Sequence, residues 1–92
     1  MAKVKVTKPF TMPFDDVLEG IERIANDLNK EHGMSYSWVS QQKVEFSHKA
    51  GKGFLAIEGS NVVLEMKISM LYAAMAPIVK KRVEQFAQEY IH

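Results

Sequence analysis

Three histidines, two adjacent aspartates, a Gly-Lys-Gly run and a basic triplet are where the residue types of this chain invite a chemical reading. His32 stands where a helix should end, and a cation there is favoured by the helix dipole whatever the function. His92 closes the sequence. His48 shares a strand face with Val44 and Phe46; a small enzyme or cyclase-like cavity would have to use it with Tyr36, yet no nucleophile–base spacing is legible. No two histidines have the spacing of helical metal ligands, so no metal site is expected. Asp15 and Asp16 are neighbours on a helix and point in different directions, which suits a helix start and not a carboxylate dyad. No serine sits in a Gly-x-Ser-x-Gly elbow. Gly51-Lys52-Gly53 lacks the longer glycine spacing and the following Ser or Thr of a phosphate loop, and reads as a pair of turn glycines. The expectation is a protein without catalytic residues or cofactors, not an enzyme.

Binding chemistry has two candidates. Lys80, Lys81 and Arg82, joined by Lys43, Lys49 and Lys52 from turns, form a basic patch that could track RNA phosphates. Glu84 and Glu89 follow on the same helix, so a solvated helix face competes with that reading. Twelve basic against eleven acidic residues leave a net charge of +1, too balanced to advertise DNA binding. The second candidate is apolar. The strand Val62-Val63-Leu64-Glu65-Met66-Lys67-Ile68 runs through Ser69 into Met70-Leu71-Tyr72-Ala73-Ala74-Met75-Ala76, and Pro77 opens a helix. Connections are normally polar because they lie on the surface. This one is either taken into the core or shows an apolar face to a partner, and methionine serves both purposes. Met66, Met70, Leu71, Tyr72 and Met75 are the candidate hydrophobic binding residues. Tyr36 and Trp38 could stack bases, but their alternation suits placement toward a core.

These groups need a scaffold, and 92 residues, 47% hydrophobic and 25% charged, supply a single globular domain over 1–92. The longest apolar run, residues 70–76, is far short of the roughly 20 residues that span a bilayer. The charged alternation of Lys3-Val4-Lys5-Val6 does not resemble a secretory signal. Without cysteine, disulfides and thiolate sites are excluded. The expected location is the cytoplasm. Low net charge with an apolar segment and exposed strand edges makes a homodimer an expectation.

Period-2 alternation predicts strands over residues 3–7, 34–38, 43–48, 54–58 and 62–68, the first ended by Lys8-Pro9. Thr11 and Pro13 mark a helix start, Thr11 as a cap. Phe14, Val17, Leu18, Ile21, Ile24, Ala25 and Leu28 form one apolar stripe, and Gly33 is a C-cap, so that helix runs over about 13–32. Ser40-Gln41-Gln42, residues 49–53 and Gly59-Ser60-Asn61 are turns. In the last helix Val79, Val83, Phe86 and Tyr90 make the core stripe, with Ile78 and Ile91 beside it. The order is β-α-β-β-β-β-α. The fold class is α+β: a curved antiparallel sheet, the first strand joining its edge, packed against two helices.

The charged first strand, the carboxylate-rich helix, the Tyr36-x-Trp38 strand and the glycine turn before Phe54-Leu55-Ala56-Ile57 together resemble the polyhydroxyalkanoic acid system proteins. The likeness extends through residues 62–68, the apolar bridge, Pro77 and the final helix, and so covers nearly the whole chain. The family comprises short bacterial proteins, many encoded near genes for polyhydroxyalkanoate granule formation. The resemblance implies association with a hydrophobic polymer or lipid-like surface, or with granule proteins, and supplies no catalytic residues. The arrangement is also similar to a reduced helix-grip fold, in a chain too short for a roomy cavity.

Overall fold

In the computed structural model, which describes residues 2–92, the alternation of lysine with valine becomes the strand β1, Ala2–Pro9. Val4 and Val6 turn inward, and Lys3 and Lys5 outward. Helix α1, Phe14–His32, buries Val17, Ile21, Ile24, Ala25 and Leu28 at the expected spacing. Gly33 terminates it at φ 69, donating its N–H to the Asn29 carbonyl at 2.9 Å. That left-handed conformation closes the last turn and suits a residue without Cβ. Thr11 is not the cap: Pro13 takes that position, and the Thr11 and Met12 N–H groups both donate to the His92 carbonyl at 2.9 and 3.0 Å. The link into α1 is thereby tied to the last residue.

Strands β2 (Ser35–Ser40), β3 (Lys43–His48), β4 (Gly51–Glu58) and β5 (Asn61–Ile68) follow as an antiparallel meander. β1 pairs with β5, giving the order β1-β5-β4-β3-β2. β1 is therefore an edge strand, which is why Pro9 at its end is tolerated. A 3-10 helix, Met70–Met75, leads directly into helix α2, Ala76–Tyr90. The α+β class and the element order are as the sequence predicts. Besides the Thr11 cap, three local expectations fail. Phe14, at the start of the α1 stripe, is 43% exposed. Gly51 and Gly53 are strand residues, only Lys49 and Ala50 forming the turn. Ile78 does not accompany the core stripe and is 67% exposed.

Register explains how one sheet face becomes the core. Val6, Leu64, Leu55, Val44 and Trp38 stand opposite one another across the five strands. The adjacent row is Val4, Met66, Gly53, Phe46 and Tyr36, and the next is Ala2, Ile68, Gly51 and His48. The α1 stripe and Val83, Phe86 and Ile91 cover these rows in one cluster. The helices meet closely at Gly20, where a Cβ would come within 2.8 Å of both Ile91 Cδ1 and the Tyr90 carbonyl oxygen. The other sheet face carries no helix.

Candidate functional site

A 3-10 helix stacks its side chains in three eclipsed rows, so a six-residue segment of this kind cannot bury more than one side against a core. Here it leaves no residue buried. Ser69 precedes it, its N–H donating to the Ala50 carbonyl at 2.9 Å, and the Tyr72 N–H donates back to Ser69 at 2.9 Å. Tyr72 packs in part against the core. Met70, Leu71 and Met75 are 77%, 91% and 46% exposed, and Ile78 of the first turn of α2 extends the same apolar stretch. The open question about residues 70–76 thus has a structural answer: the segment faces outward. Of the five candidate apolar residues, Met70, Leu71 and Met75 are outside, Tyr72 is intermediate, and Met66 is core at 4% exposed.

Met66 and Met75 nevertheless line one space. Between the end of the sheet, the C-terminal turn of α1 and the start of α2 lies a cavity of about 120 Å³. Leu28, Met34, Met66, Ile68, Met75 and Val79 provide apolar walls, and His32, His48 and Arg82 also line it. Gly51 borders the space without a side chain, and a Cβ there would collide with the Lys67 carbonyl oxygen of β5. Gly53 is bare in the neighbouring row for the same reason, its Cβ meeting the Glu65 carbonyl oxygen. Sequence reasoning missed this cavity and the part Ile78 plays. The available signal was two glycines two residues apart, which in a strand clears one face.

His48 lies at the sheet end, half-buried, and its Nδ1 accepts the Ala50 N–H at 3.0 Å. His32 is exposed at the end of α1. The six basic residues of the expected patch are divided. Lys80 and Lys81 are exposed on α2, and Lys49 is in the β3–β4 turn. Lys43 and Lys52 stand on the helix-free sheet face, Lys43 Nζ lying 4.6 Å from the centre of the Phe54 ring. Arg82 is committed to Glu31 by Nε and Nη2 contacts of 3.0, 2.8 and 2.8 Å, and it stacks over Phe86. The hydrogen bonds it donates to Glu31 hold its pKa above the usual guanidinium value.

The helix-free sheet face has its own pattern. Lys3, Lys67 and Lys52 stand opposite one another on β1, β5 and β4. Like charges directly across a sheet repel, and Glu65 relieves them, with a Lys3 Nζ contact of 3.0 Å. That hydrogen bond, aided by Lys5 and Lys67 and opposed by desolvation, holds the Glu65 carboxyl below its usual range. Tyr36 and Trp38 reach the other way, donating to Glu22 of α1 at 3.1 and 2.7 Å, so they brace the edge strand and do not stand free for stacking. Among the described residues there is no cluster of three or more potential metal ligands, and no helix is long and apolar enough to cross a membrane.

A family model described as "Putative polyhydroxyalkanoic acid system protein" matches residues 4–91, nearly the whole chain. No curated protein matches it.

Proposed function

We propose a role from two facts taken together: the chain belongs to the polyhydroxyalkanoic acid system protein family, and Leu71, the most exposed large apolar side chain among the described residues, lies in a stretch of sequence where Met70, Met75 and Ile78 are exposed too. The protein acts as a non-enzymatic accessory module that attaches to polyhydroxyalkanoate granules, or to proteins on them, through this segment, and so resides at the granule surface. The 91% exposure of Leu71 carries the reading, because a large apolar side chain with no packing role gains free energy only when something covers it. Covering apolar area contributes about 25 cal/mol per Å², so a few such residues suffice for reversible attachment to a polymer surface.

The test is co-sedimentation of the purified chain with polyhydroxybutyrate granules. The double variant Leu71→Asp/Ile78→Asp should bind at least about tenfold more weakly, the loss of roughly one buried leucine's free energy or more, with an unchanged melting curve. Equal binding of variant and parent would overturn the proposal.

A second reading, an RNA- or ribosome-associated domain, is favoured by one observation, the Lys3–Lys67–Lys52 row on the open sheet face. It would use that row in place of Arg82, which Glu31 occupies. Its mark is an affinity for single-stranded RNA that falls steeply with salt; salt-independent or absent binding removes it.

A further inference from the structure

The cavity behind Met75 is a different object from the exposed stretch in front of it. Its apolar walls are aliphatic or thioether, and three of its seven apolar wall residues are methionines, unbranched side chains that shift readily to admit a guest. Gly51, which borders it on β4, has no room for a Cβ. No acidic side chain lines it among the described residues. One polar group beside it has an unused capacity. The Ala50 N–H is necessarily the donor to His48 Nδ1, so in the neutral ring Nε2 carries the hydrogen. That N–H makes no hydrogen bond among the described residues. His32, Lys67 and Arg82 line it as well, Arg82 being held by Glu31, and a mainly apolar space of about 120 Å³ with a few polar groups is the pattern of a small-ligand pocket.

We infer, resting on the docking reading above, that this cavity binds the end of a short unbranched acyl chain, with His48 Nε2 donating to its carbonyl or carboxylate oxygen. The size follows from volume: an apolar cavity of about 150 Å³ takes a six-carbon ring, so this one holds about four to six carbons. The class follows from the walls and the polar groups. An aliphatic tail matches Leu28, Ile68 and Val79, and an acceptor oxygen matches a histidine donor with no competing carboxylate in the lining. Met75 belongs to both the cavity wall and the exposed segment, so an acyl unit reached from the surface would enter beside it.

The methionines report this directly. The intact chain, labelled with ¹³C at the methionine methyls, is titrated with sodium hexanoate and with methyl hexanoate, the ester distinguishing a carbonyl from a charged carboxylate. The Met34, Met66 and Met75 methyl resonances should move together and saturate, while Met12, remote from the cavity, stays in place. Val79→Phe, which fills the space, should abolish saturation. His48→Leu, which keeps the wall apolar and removes the donor, should weaken binding about five- to tenfold and serves if Val79→Phe fails to fold. Movement without saturation, or none at Met34 and Met66, overturns the inference. A response at Met70 alone also overturns it, while leaving surface attachment through the 3-10 segment standing. Saturation at the cavity methyls that survives Leu71→Asp/Ile78→Asp, in a variant that no longer pellets with granules, supports the site independently of the surface.

Discussion

Tyr90 crosses from α2 to donate its hydroxyl to Asp27 of α1 at 2.6 Å. The carboxylate acceptor, with desolvation adding to it, pushes the phenol up to about 12 from an ordinary value of 10.0. A raised folded-state pKa means that the protonated form is the stabilised one. The contribution is therefore complete below pH 10, diminishes as the unfolded phenol ionises, and is gone once pH passes about 12. Tyr90→Phe should lower the denaturant midpoint at pH 8 and flatten its decline between pH 10 and 12, measured against the parent so that lysine titration cancels. Ionisation of Tyr90, followed by near-ultraviolet absorbance, should come near pH 12. Tyr36 also ionises late, chiefly because burial disfavours its phenolate and then because its hydroxyl donates a hydrogen bond to the Glu22 carboxylate. Neither pairing was legible from spacing, since Asp27 and Tyr90 are 63 residues apart and only the packing of two helices brings them together.

Among the elements, β4 departs most from its sequence appearance. Gly51-Lys52-Gly53 looks like a turn because glycine commonly supplies one. Here neither glycine is at positive φ, and both are needed because the β5 carbonyls approach too closely for a Cβ. Gly53→Ala should cost about 2 to 3 kcal/mol by urea unfolding, as a forced backbone shift in the sheet. Gly33→Ala, strained in φ but facing open space, should cost about 1 to 2 kcal/mol. A Gly53→Ala effect no larger than that at Gly33 would mean that β4 can relax away from β5. The α1 stripe, by contrast, was readable apart from Phe14 and Leu18, which the core does not bury, because a helix that buries one face must repeat its apolar residues every three or four positions.

For the molecule as a whole, the return of α2 onto α1 closes the structure. Ile91 is fully buried against Gly20, and the carbonyl of its neighbour His92 accepts two backbone hydrogen bonds from Thr11 and Met12 in the link into α1. Ile91→Ala should destabilise the whole chain by about 2 to 5 kcal/mol in one cooperative transition. Leu71→Ala, a side chain of similar volume, should change stability by less than about 0.5 kcal/mol. That contrast, read by thermal and urea unfolding, separates a residue that holds the fold from one available to a partner. Similar losses at the two positions would assign the 3-10 segment to the core and remove the proposed attachment surface.

Alternation and stripe spacing were enough to place five strands and two helices in order, because each element must present one continuous apolar face and the period of that face differs between them. They also placed β1 at an edge, as a strand separated from the meander by a long helix can only join at its side. Whether residues 70–76 turn inward could not be read there. An apolar segment has the same composition in a core as on a docking surface, and the choice depends on how much sheet α1 and α2 leave uncovered. Only tertiary packing decided it. Met34, Met75 and Val79 gather with Gly51 around the cavity at the sheet end, while Leu71 and Ile78 stay exposed at 91% and 67%.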